Sequence, residues 1–123
     1  MREGLEPQLF AQALSSRHCE VLTDDGDPYN LEGVSIPFHG DKGANGARGS
    51  VRQFSRQGMK TMTGHSHAAH WDGGATSAGT CTRLDLGYNK GPSSWSHTFT
   101  VLYEGGKRAQ FTANAETGLW RGP

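Results

Sequence analysis

Glycine sets the terms for this chain. It fills 18 of the 123 positions and recurs along the whole length, so the backbone is expected to turn often and to build short elements. Hydrophobic residues make up only 33%, which is low for a globular chain. The length fits one small domain, residues 1–123, with a core thin enough that a partner surface is expected to cover part of it. The formal net charge of zero argues against a basic nucleic-acid clamp spread over the whole chain and leaves room for a local basic patch. No long apolar run is present, so neither a signal peptide nor a membrane span is expected. Cys19 and Cys81 are far apart and in no metal-ligand spacing. They read as reduced thiols, in the cytoplasm of a cell or of a virus-infected host.

Apolar spacing at Leu5, Leu9, Phe10, Ala13 and Leu14 predicts a helix over Leu5–Leu14. Glu20–Thr23 reads as a short strand, and Asp24-Asp25-Gly26-Asp27-Pro28 as a solvated turn that lacks the full calcium-loop pattern. Val34–Phe38 reads as a strand that runs into His39-Gly40-Asp41 and a glycine-rich stretch, Gly43–Gly49. Ser50 is a natural cap for a helix over Val51–Gln57, with Gly58 at its stop. Met59–Thr63 returns as a strand and ends in Gly64-His65-Ser66-His67. Beyond it, strands are expected at Arg83–Leu86, Ser96–Tyr103 and Arg108–Ala113, the last two joined by a Glu104–Lys107 hairpin turn.

Histidines stand where two of these strands end. His39 precedes a glycine, which lets another group approach closely. His65 and His67 are one residue apart, and in an extended turn alternate side chains point to the same side, so both imidazoles could meet one metal or two adjacent ones. Imidazole suits manganese, iron, zinc and nickel. His70 reads as packing beside Trp71 or reaching solvent, and His97, alternating with Trp95 and Phe99, as structural. Asn45 and Arg48 follow His39 in the glycine-rich loop, where a guanidinium could clamp a phosphate oxygen bidentately. Tyr88 and Trp95 are either base-stacking groups or core aromatics.

His39-Gly40 after one strand and Gly64-His65-Ser66-His67 after the next resemble the last two metal motifs of calcineurin-like metallophosphoesterases. The stretches His39–Ser50 and Leu86–Trp95 extend the resemblance toward a phage-type branch of that family, associated with DNA metabolism and DNA transfer. It covers roughly residues 30–112. It implies an α+β fold: the mainly β, C-terminal part of a four-layer αββα sandwich, with metal ions at the strand ends. Carried over by motif, His39 and His65 would bind the second metal and His67 the first. The ions would be divalent, manganese first, with zinc, iron and nickel as alternatives. The activity implied is metal-dependent hydrolysis of a phosphate ester, of phosphodiesterase or nuclease type, with DNA among the candidate substrates.

The family's earlier motifs, Asp-x-His, Gly-Asp-x-x-Asp and Gly-Asn-His-Asp/Glu, do not occur, and their place would be upstream of residue 1. Gly40-Asp41-Lys42-Gly43 begins like the second of them and lacks its second aspartate. A complementary chain, an N-terminal half or a second copy is therefore expected to complete the site, and the chain alone is expected to hydrolyse poorly or not at all. The other reading is a non-catalytic metal-binding or assembly subunit that keeps the histidines and lacks the acids. A cupin-like barrel would require a glutamate soon after His67, where Ala68-Ala69-His70-Trp71-Asp72 stands instead.

Overall fold

The computed structural model describes residues 28–36 and 39–122. The expected Leu5–Leu14 helix, the Glu20–Thr23 strand, most of the acidic turn, and Pro37 and Phe38 lie outside the described residues. The described chain is mostly β, in two sheets with few helices. No helix among the described residues is long and apolar enough to cross a membrane.

The first sheet has five short strands: β1 (Tyr29–Leu31), β2 (Val34–Ile36), β3 (Thr61–Thr63), β4 (His70–Asp72) and β5 (Ala75–Ser77), in the order β1-β2-β3-β5-β4. β2, β3 and β5 run parallel, with Ser35 opposite Thr61 and Thr61 opposite Ala75, and β1 and β4 close the two edges antiparallel. Between β2 and β3 lies the helix α1 (Val51–Arg56). Ser50 caps it as expected, its hydroxyl accepting from the Gln53 amide at 3.2 Å. Gly58, at φ +70°, lets the chain turn away after it. Val51 and Phe54, one turn apart, bury against Ala75 and form the small apolar core.

The rest of the sheet interior is polar. Thr61, Thr76 and Ser77 are as buried as Val34 and Ala75. Burial of a hydroxyl is tolerable when it is hydrogen-bonded. Thr76 donates to the Thr61 carbonyl at 3.0 Å and Thr63 to the Thr76 carbonyl at 3.2 Å, each across a parallel pair.

The second sheet is the expected hairpin, β6 (His97–Leu102) and β7 (Arg108–Ala113), extended by β8 (Trp120–Arg121). The register, His97 opposite Ala113 and Leu102 opposite Arg108, puts Thr98, Thr100, Gln110 and Arg108 on one face and Phe99, Val101 and Phe111 on the other. The polar face turns toward the first sheet. Arg108 donates one guanidinium nitrogen to the Thr61 carbonyl at 2.9 Å and the Gly74 carbonyl at 2.6 Å, and its guanidinium lies 5.4 Å from the Trp71 ring centre. Gln110 donates to the Ser77 carbonyl at 2.9 Å. Burial lowers the Arg108 pKa from its ordinary value, because desolvation disfavours the charged form. Among the described residues the aromatic face is left uncovered, as a thin core implies. Phe99 stacks on Phe111 at 5.2 Å and meets Trp120 at 4.8 Å, yet Phe99 and Trp120 remain 43% and 55% exposed.

Arg83–Leu86, expected as a strand, is a loop. Asn89 accepts from the Leu86 amide at 2.9 Å and donates to the Leu84 carbonyl at 2.8 Å, while Asp85 accepts from the Gly87 amide at 2.8 Å. These local bonds take up the backbone groups that a ladder would use. Conversely, β1, β4 and β5 are strands where none was expected.

Arg108→Met should lower unfolding free energy by about 2–3 kcal/mol, since it leaves the Thr61 and Gly74 carbonyls without a charged donor. Arg108→Lys should recover only part, because an ammonium lacks the planar fork. Urea unfolding followed by circular dichroism reads both.

Candidate metal centre

β2 and β3 are adjacent and parallel, so both end on the same edge of the sheet. His39 lies shortly after β2, and His65 and His67 directly after β3. In open sheets with parallel strands, the carboxyl ends of the strands are where ligand sites form. The two segments are tied together there by the Gly64 amide, which donates to the His39 carbonyl at 3.3 Å. Gly40 fits only as glycine: its φ is +94°, and a Cβ would stand 2.8 Å from Thr63 Cβ.

The His39 and His65 rings meet edge-on with centroids 5.0 Å apart. Two imidazoles that ligate one ion at about 2.1 Å stand with their centroids about 5 Å apart. His67 behaves differently. His65 has φ +72° and His67 φ +59°, so the segment is not the extended turn that the His-x-His spacing suggested, and its side chains do not alternate. The His67 ring packs edge-on against Trp95 at 4.4 Å, and its Nδ1 is buried without a hydrogen-bond partner. Left-handed backbone at a residue other than glycine costs about 1–2 kcal/mol. Two such residues within one tetrapeptide mark the kind of strained segment that clusters at functional sites.

The segment is held from behind. Ser66 and Ser77 hydroxyls are 2.7 Å apart, Ser77 donates to the Gly64 carbonyl at 3.4 Å, and the Ser96 amide donates to the His67 carbonyl at 3.1 Å. Buried β5 thus braces the His65–His67 turn, and β5 was the strand least visible in the sequence.

A cleft of about 450 Å³ opens beside His65, lined also by Arg48, Ser50, Arg52, His70 and Ser94. Arg48 follows from a tight hairpin in which Lys42 bridges Arg48 and the Gly49 amide donates to the Asp41 carbonyl at 2.7 Å. Asn45, at φ +55° in the short helical turn Ala44–Gly46, sits at the tip of that hairpin and does not line the cleft. Arg52 and His70 do line it, and no phosphate role is visible for either in the sequence; Arg52 sits one residue inside the helix capped by Ser50, a position the sequence does reveal. No acid lines the cleft among the described residues. Two guanidiniums without a carboxylate give it a positive potential suited to an anion. His97 is held by a 2.9 Å bond between its Nε2 and the Thr82 carbonyl, in keeping with a structural role.

Imidazole nitrogens gather at this strand edge, and no carboxylate joins them among the described residues. The His39 and His65 rings meet edge-on, and the buried Nδ1 of His67 has no hydrogen-bond partner among the described residues. Among the described residues, no three His, Cys, Asp or Glu side chains form a group that could hold an ion.

Comparison with known proteins finds a likeness to a phage protein. Protein A1 of Escherichia phage T5 is 42% identical over 87 residues, which is 71% of this chain and 15% of that protein. The match therefore spans a small part of the relative's length. No family model matches the chain, and no solved structure matches it.

His39→Ala and His65→Ala should each weaken divalent-metal binding about 100-fold, the upper end of what loss of a supporting partner costs. Titration with cobalt, followed by its visible absorption, measures this; unchanged affinity in both variants would remove the assignment. Gly40→Ala should weaken binding without deleting a donor, and lower stability by more than the roughly 1–2 kcal/mol of its φ alone.

Proposed function

We propose that this chain supplies histidine ligands and a phosphate-binding cleft to a metal-dependent phosphoesterase of the calcineurin-like type, acting as a phosphodiesterase or nuclease. The observation that carries the reading is the convergence of His39 and His65, 5.0 Å apart, where two parallel strands end, next to a cleft lined by arginines. In this reading the two sheets form the C-terminal part of the family's four-layer sandwich. His39 and His65 would hold one divalent ion, manganese or a similar metal, and His67 would turn its unpartnered ring nitrogen to a second. Bound there, the ions would polarise the phosphoryl group and lower the pKa of water.

The chain's own side chains do the rest. Arg48 and Arg52 bind phosphate oxygens and neutralise their charge, and Arg48 takes the bidentate role. Ser66, Ser77 and the Ser96 amide hold the His65–His67 turn, so that imidazole orientation is set before substrate arrives. The carboxylates of a two-metal site come from a complementary chain, an N-terminal half or a second copy. The open aromatic face of Phe99, Phe111 and Trp120 is the surface such a partner would cover. The likeness to a phage protein supports action in the host cytoplasm.

A second reading, a metal-binding or assembly subunit without catalysis, is favoured by one observation: no carboxylate lines the cleft among the described residues. One assay separates them. The purified chain with manganese should turn over bis-p-nitrophenyl phosphate or single-stranded DNA poorly or not at all. Addition of a chain carrying the acidic motifs should restore manganese-dependent cleavage, and His65→Ala should abolish it. A loss of two to three orders of magnitude is the scale expected for one transition-state interaction. Continued inactivity with the acidic chain present favours the subunit without catalysis.

A further inference from the structure

Beyond the cleft, the loop between β5 and β6 presents an aromatic pair in which Trp95 packs on His67 and Tyr88 has no core role. Tyr88 is 70% exposed. Its neighbours Gly87 (φ +83°) and Gly91 (φ +92°) turn the backbone on either side. The three Asn89 and Asp85 bonds to the backbone fix the loop around it. An exposed tyrosine on a fixed loop loses little entropy when something stacks on it. The Tyr88 ring meets Trp95 edge-on at 5.8 Å, and Trp95 in turn meets His67 at 4.4 Å. Ser94, directly before Trp95, is part of the wall of the arginine cleft. An aromatic platform and a cationic cleft are therefore joined through two consecutive residues.

We infer that Tyr88, backed by Trp95, is a nucleobase platform, and that the site takes a nucleotide unit, with its phosphate between Arg48, Arg52 and His65 and its base on the Tyr88 ring. This rests on the phosphoester reading above and adds its specificity element. A base presents a π-face whatever its identity, so stacking discriminates base-bearing phosphates from others without reading sequence. Positive charge alone would bind any phosphate. Charge in the cleft and an exposed ring linked to it through Trp95 and Ser94 form the combination that nucleotide recognition requires.

The test is a binding measurement in EDTA, so that it needs neither metal nor turnover. Fluorescence anisotropy compares a labelled thymidine octamer with an abasic octamer of equal length and charge. The chain should bind the thymidine octamer about tenfold more tightly. Tyr88→Ala should abolish that preference while leaving abasic binding unchanged, Tyr88→Phe should keep it, and Arg48→Ala should weaken both strands alike. Competition by thymidine monophosphate against deoxyribose 5-phosphate separates the sources. Preference shown by the octamer assigns the platform to a strand, and preference confined to the monophosphate assigns it to a free nucleotide; both support it. Equal binding of base-bearing and base-free ligands, no binding of either, or a preference that survives in Tyr88→Ala overturns it. Hydrolysis is scored separately, with manganese and the chain carrying the acidic motifs present: cleavage without base preference sinks this inference alone, and base preference without cleavage sinks only the phosphoesterase reading.

Discussion

The charged tie between the two sheets is one guanidinium, with Gln110 and backbone amides beside it. Arg108 reaches from the hairpin into the first sheet and donates to the Thr61 and Gly74 carbonyls, where β3 begins and where the turn into β5 sits. This is an unusual way to join sheets, which ordinarily interdigitate apolar side chains. Here the apolar supply is too small. Val34, Val51, Phe54 and Ala75 are the buried hydrophobic residues among those described, and three of them serve the contact with α1. The hairpin therefore offers its Thr, Gln and Arg face inward, and hydrogen bonds replace a shared apolar layer. A desolvated charge is costly unless it is hydrogen-bonded, and the Arg108 Nε has no partner among the described residues, so the carbonyls under the other nitrogen favour the register that brings them there.

That specificity reaches the candidate site. Arg108 and Gln110 fix the hairpin against β3 and β5, and β5 then braces the His65–His67 turn through Ser77. The Ser96 amide, at the start of the hairpin, holds the His67 carbonyl. The strain of two left-handed histidines is thus balanced by contacts from both sheets. His39 arrives from the neighbouring parallel strand, and the glycine beside it permits the close approach to Thr63. The histidine pair is consequently a product of strand order: it exists because β2 and β3 lie side by side in the same direction.

Much of this was legible in local sequence. Ser50 and Gly58 marked the helix, and the β6–β7 hairpin was visible in its alternation, because capping, turning and alternation act over a few residues. The strands β1, β4 and β5 were not legible. Ala75-Thr76-Ser77 carries no hydrophobic period, and it is buried because its neighbours β3 and β4 flank it and its hydroxyls find carbonyls across the sheet. Arg83–Leu86 erred the other way, since Asn89 and Asp85 compete for its backbone groups from nearby.

The sequence by itself determined the histidine-bearing segments, the glycines that let them approach, and the basic loop at Arg48. These depend on residue type and short spacing. Only the tertiary structure decided which imidazoles meet. The period of two that would align His65 with His67 holds for extended backbone alone, and φ angles of +72° and +59° send one ring to His39 and the other to Trp95. It also decided that Arg52 and His70 share a cleft with Arg48 and that Arg108 is an internal tie. Those contacts join residues far apart in the chain, and their geometry is set by strand order and register, which no local pattern encodes.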